Sequence, residues 1–176
     1  MEDIFTSNIQ IYSRNTDTNN KRYLYQKGFK RFWSLPIPPP ARNLWYRILS
    51  RKSPTSKYLN QIGTIDSPRC HLCHNYVDNL EHFIVQCTIK STVWNRVLTS
   101  HYPTYNVTNS NILKALYNME TPFGTQSSRN IPFLVIISTT NYYIWYFYWQ
   151  FIIHNIPFVA EAIINRSNRQ ISIILN

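Results

Sequence analysis

The spacing of cysteine and histidine between residues 70 and 87 constrains this chain more than any other feature. The order is Cys70-x2-Cys73-x8-His82-x4-Cys87, three sulfurs and one imidazole within 18 residues. A Cys-x2-Cys turn presents two thiolates from one tight loop, and a later His and Cys complete the four N/S ligands that tetrahedral zinc requires. The sequence holds three cysteines, an odd number. That argues against a disulfide framework and for a thiolate metal site in a reducing, intracellular compartment, cytoplasm or nucleus. His71 and His74 are near enough to compete as fourth ligand, but His74 follows Cys73 directly and would strain the loop in reaching back, so His82 is preferred. With protein donors in all four positions, the expected cofactor is one structural Zn2+ per chain, with no place for a reactive water. Such a site contributes on the order of 10 kcal/mol of apparent binding free energy, and metal loss is expected to unfold the region.

Charge is the second constraint. The formal net charge is +10, and from Lys21 to Lys57 ten basic residues occur with no acidic one. A polyanion would dock there. Tyr23, Tyr25, Phe29, Phe32 and Trp33 interleave the cations and add stacking surface to charge. The expected phosphate contacts are Lys27, Lys30, Arg31, Arg42, Arg47, Arg51 and Lys52; a plain solvated basic face is the competing reading. Around the knuckle, residues 61–100 carry Arg69, Lys90 and Arg96 against Asp66, Asp78 and Glu81, so that stretch has little electrostatic pull of its own.

The periodicity is helical. Residues 1–20 are Asn/Thr/Ser-rich without a pattern and read as a disordered lead-in. After the proline run 36–40, Ala41, Leu44, Trp45, Ile48 and Leu49 fall on one helical face, with Ser53-Pro54 as the stop. A shorter helix is predicted with Thr55 as cap, Tyr58, Leu59 and Ile62 as its apolar side, and Gly63 in the left-handed C-terminal position. Asp78 with Glu81 resembles a capping box that opens a helix near Asn79 and carries His82. Ile89, Val93, Trp94, Val97 and Leu98 form the next stripe, and further helices are expected near 110–119, 131–153 and 158–170. The fold class is therefore mainly α: a small zinc-knuckle-stabilised helical domain at 21–100, then a helical C-terminal extension at 101–176.

Between Arg129 and Glu161 no Asp, Glu, Lys or Arg occurs, long enough to cross a bilayer. Its centre reads Ser138-Thr139-Thr140-Asn141 and its second half is Tyr and Trp, which suits a helix buried in protein better than one in lipid. No membrane association is expected.

The order Phe32-Trp33-x-Leu35-Pro36-x-Pro38-Pro39-x-Ala41-Arg42, Leu44-Trp45-x-x-Ile48-Leu49, Leu59-x-x-x-Gly63, Cys70-x2-Cys73, Leu80-Glu81-His82-x4-Cys87 and Val93-Trp94 resembles the reverse-transcriptase zinc-binding domain of non-LTR, LINE-type retrotransposons. The resemblance covers roughly residues 29–98. It implies that Cys70, Cys73, His82 and Cys87 hold zinc, that the domain helps grip DNA or RNA, and that it accompanies a polymerase segment. Met1 precedes the module by only about thirty residues, so the expectation is a truncated, C-terminal fragment of the element's polyprotein.

Enzymatic chemistry finds no support in the residues. There are eight acidic residues, no Asp-Asp pair and no Gly-x-Ser-x-Gly elbow, and the cysteines are committed to metal. Two non-catalytic readings remain: a nucleic-acid-binding accessory domain, or a protein-interaction or structural module whose aromatic helix, Tyr142 to Ile153, packs on a polymerase body.

Overall fold

A computed structural model describes residues 28–176; the expected lead-in at 1–20 and Lys27 lie outside them. Among the described residues the secondary structure is helical, apart from an isolated antiparallel bridge between Arg69 and Val77. Residues 28–34 are helical. They lead through the proline run into α1, Pro39–Leu49, whose buried residues are the five of the predicted stripe, Ala41, Leu44, Trp45, Ile48 and Leu49.

Helix α2, Ser56–Gln61, begins as predicted: the Tyr58 N–H donates to Thr55 Oγ1 at 3.2 Å, and Gly63 has φ +73°. Its predicted apolar side needs correction, because Tyr58 and Ile62 are exposed and the residue that α2 buries is Ser56. A single turn of π-helix, His82–Gln86, precedes α3, Thr88–His101. α4 spans Asn109–Asn118, with a reciprocal cap between Thr108 and Asn111; α5 spans Asn130–His154 and α6 Ala160–Leu175.

α5 is the central helix and packs against α1, α3, α4 and α6. Phe133 to Asn141 are buried without interruption, followed by Ile144 and Tyr148. A helix apolar on every side is a core helix, and no helix among the described residues is long and apolar enough to cross a membrane. The apolar core runs on across residue 100: Trp45 and Ile48 of α1 share it with Leu116 of α4, Phe133 of α5 and Ile163 of α6.

Candidate metal centre

The knuckle is a short two-stranded turn closed on a helical end. Pairing of Arg69 with Val77 and the bond from Cys70 N–H to the Tyr76 carbonyl, 2.9 Å, fold residues 69–77 back on themselves. Within that turn His74 N–H donates to the Cys70 carbonyl at 2.9 Å, and His74 itself has φ +56°. The Arg69 guanidinium reaches the carbonyls of His74 and Asn75 at 3.5 and 3.4 Å and braces the turn from outside. The second pair of ligands comes from the π turn: His82 is its first residue, and Cys87 follows its last, with Cys87 N–H donating to the His82 carbonyl at 3.2 Å.

These segments bring Cys70 Sγ, Cys73 Sγ, a His82 ring nitrogen and Cys87 Sγ within 4.8 Å of one another, with three of the four residues buried. Cys70 Sγ and Cys87 Sγ are 3.9 Å apart, and Cys73 Sγ lies 3.3 Å from His82 Nε2. A tetrahedron with Zn–S near 2.3 Å and Zn–N near 2.0–2.1 Å has S···S edges of about 3.8 Å and S···N edges of about 3.6 Å. The separations are therefore those of ligands around one small ion, and far too long for a disulfide bond of about 2.05 Å. The donor set of three sulfurs and one imidazole fits zinc, and as a closed shell it fits a structural site. His71 and His74 stand outside this group. His71 Nδ1 is instead 3.1 Å from Ser56 Oγ and 3.4 Å from the Tyr148 hydroxyl.

Without metal the two buried thiols share a proton. The hydrogen bond to Cys87, and then burial, push Cys70 up to about 12, while the same bond holds Cys87 down to about 7. Zinc would replace that proton.

Behind the ligands lies a polar cluster that the charge count missed. Asp78, expected to cap a helix, is fully buried, and its Oδ2 accepts from the Ser56 N–H and hydroxyl at 3.1 Å each. The cap is Asn79, whose Oδ1 accepts from the His82 N–H at 2.8 Å. Lys90, equally buried, donates to the Phe83 carbonyl at 3.1 Å. Its ammonium sits 4.0 Å from Asp78 Oδ1, 3.8 Å from the Phe83 ring centre and 4.4 Å from that of Tyr148. Burial lowers the Lys90 pKa; Asp78 and then the three cysteine sulfurs oppose that shift. A signal for it was present: Lys90, Val93, Trp94, Val97 and Leu98 are the buried face of α3, so the stripe continues in phase onto Lys90, and Ile89 is exposed.

Residues 8–94 match the family model described as zinc-binding in reverse transcriptase. That segment is a reverse-transcriptase zinc-binding domain. No curated protein and no solved structure matches the chain. The four clustered ligands and the zinc-binding family agree on one structural zinc.

Of the predicted phosphate contacts in and beside the zinc-binding domain, Lys30, Arg31, Arg47, Arg51 and Lys52 are exposed. Arg42 is half-buried and turned to the fold: Nη1 donates to the carbonyls of Phe32 and Trp33, Nη2 to those of Leu35 and Ile37, and the guanidinium lies 5.3 Å from the Trp33 ring centre.

Proposed function

We propose that the chain is a non-catalytic accessory domain of a retrotransposon reverse transcriptase, with 21–100 as its zinc-binding unit and 101–176 as a packed helical extension, and that it holds DNA or RNA through phosphate contacts. The observation that carries this is the charge pattern of residues 28–57. Lys30, Arg31, Arg47, Arg51, Lys52 and Lys57 are all exposed there, and the stretch itself contains no carboxylate. Family membership supports it, since a reverse transcriptase works on nucleic acid. Structural zinc would fix the knuckle against α2 and α3 and leave the chemistry to a polymerase segment.

The test is a salt titration of binding to single-stranded and duplex oligonucleotides. Each phosphate neutralised contributes about 0.7 to the log–log slope on single strands and about 0.9 on duplex DNA. Reversing Lys30, Arg31, Arg47 and Lys52 to Glu should flatten the slope on both substrates, because phosphate contacts position a protein without reading sequence. An unchanged slope in a folded, zinc-loaded variant refutes the reading. The second reading, an interaction module, draws on α5, where Trp145 and Trp149 bury indole N–H groups that have no acceptor within the described residues. It would gain if the chain bound a polymerase fragment and not nucleic acid.

A further inference from the structure

A groove of about 830 Å³ opens between the C-terminal turn of α1, helix α2, the start of the π turn and the end of α4. Its walls include Arg51, Ser53, Lys57, Tyr58, Asn79 and Tyr117. We propose that this groove seats one unpaired nucleotide of a single-stranded nucleic acid, its base stacked on Tyr58 and its phosphate held by Arg51 and Lys57. The proposal rests on the nucleic-acid reading above and gives it a subsite that distinguishes single strands from duplex.

Three observations converge on it. First, the walls combine the chemistries that a nucleotide presents. Tyr58 is an exposed aromatic beside the cation Lys57, and base stacking on an aromatic face needs no sequence match. Second, the Ser53 hydroxyl oxygen is buried in the groove wall with no hydrogen-bond partner among the described residues, and the residue is only 5% exposed. A buried hydroxyl without a partner is costly, and a sugar hydroxyl, a phosphate oxygen or a base edge would supply one once the wall at Ser53 opens to it.

Third, the backbone at Arg51 is bent in a way that normally calls for glycine. Arg51 N–H donates to the Ile48 carbonyl at 3.1 Å and Lys52 N–H to the Arg47 carbonyl at 2.9 Å, the bond pair that ends a helix through a left-handed residue. That residue is Arg51, at φ +54°. Glycine adopts this conformation without strain and arginine does not. The same left-handed φ recurs at His74, Met119 and Asn155; at Arg51 the turn sets the guanidinium on the groove wall, where it can meet a phosphate. Glu81 also lines the groove, so its floor is not uniformly cationic. One acidic group beside two cations admits a single phosphate with a base edge better than a run of phosphates. The Tyr117 hydroxyl is pushed up to about 12 by burial first and Glu81 second, with Arg51 opposing, which places all three groups in one electrostatic neighbourhood.

The experiment uses the full zinc-loaded chain and a fluorescent oligothymidine, with a duplex of equal length as comparison. Tyr58→Ala should weaken single-strand binding about five- to hundredfold, the loss expected for one stacked base, and leave duplex binding within about twofold. Tyr58→Trp should restore it. Arg51→Gly should weaken single-strand binding while the protein stays folded and zinc-loaded, since glycine suits that backbone. Photocrosslinking with a thymidine-analogue strand should mark peptides carrying Tyr58 or Tyr117. Equal losses on both substrates, or no loss, overturn the subsite while salt-dependent binding by the parent keeps the accessory-domain reading. A parent that binds neither substrate overturns both.

Discussion

The indole Nε1 of Trp45 donates a 2.6 Å hydrogen bond to the main-chain carbonyl of Leu116, and both residues are almost wholly buried. One bond thus joins α1, ahead of the zinc knuckle, to α4, behind it. Trp45→Phe would keep most of the apolar burial but leave the Leu116 carbonyl without its donor, a loss of roughly 1–3 kcal/mol. Urea unfolding should show that shift with zinc content unchanged. Removing residues 101–176 would uncover the same side of Trp45 and Ile48, so the shortened chain should bind a hydrophobic dye or precipitate. A soluble, monomeric, cooperatively folding 1–100 chain would contradict the continuity of the core.

Lys90 and Asp78 form a second tie, this one wholly inside. Lys90→Met removes the ammonium beside a buried carboxylate and leaves Asp78 without a counter-charge, held only by the Ser56 and Tyr148 hydrogen bonds to Oδ2, and breaking a buried pair in this way costs roughly 3–5 kcal/mol. Asp78→Asn in the same chain should recover part of the loss, and a double-mutant cycle in urea measures the coupling. Additive effects would mean that the 4.0 Å pair contributes nothing as a pair.

The metal site and the helices were legible in the sequence because each rests on a local pattern. Cys70, Cys73, His82 and Cys87 declare themselves by spacing, the α1 stripe by its period, and Gly63 by the turn that it permits. What escaped were residues whose roles depend on distant partners. Asp78 sits three residues before Glu81 in a sequence that mimics a cap, yet Ser56, twenty-two positions upstream, claims its carboxylate. Tyr58 and Ile62 have the right local spacing for burial, but no element among the described residues covers that side of α2. Lys90 enters the charge balance of residues 61–100 as one cation among six charges, yet its phase on α3 puts it inside.

Zinc itself gives the next test. One equivalent per chain is expected, and cobalt should show thiolate-to-metal absorption of three sulfur ligands. Cys70→Ser, Cys73→Ser or Cys87→Ser should abolish it, and so should His82→Ala, whereas His74→Ala should not. The affinity should fall with falling pH, because metal must displace the proton held by Cys70 at about 12. The fall should steepen as pH drops through about 7, where Cys87 also takes up a proton in the metal-free form. A flat dependence between pH 8 and pH 6, at about the accuracy of a competition titration, would reject these thiols as ligands.

Arg42 separates fold from binding within the basic segment. The carbonyls at the end of helical residues 28–34 need donors, and the following stretch holds Pro36, Pro38, Pro39 and Pro40, none of which has an N–H. The Arg42 fork fills that gap with bonds to Trp33 and Leu35 and longer ones to Phe32 and Ile37. Arg42→Lys keeps the charge and loses the fork, since an ammonium cannot span two carbonyls in the guanidinium plane. Hydrogen bonds to charged groups contribute about 1.5–3 kcal/mol, so this variant should melt several degrees lower, while the salt slope of its folded form stays that of the parent. Arg47→Lys, at an exposed position of the same helix, should leave both unchanged, and Arg47→Glu should flatten the slope at an unaltered melting temperature. If Arg42→Lys melts with the parent and Arg42→Glu changes only the salt slope, the guanidinium serves phosphate and not the proline-bounded helix end.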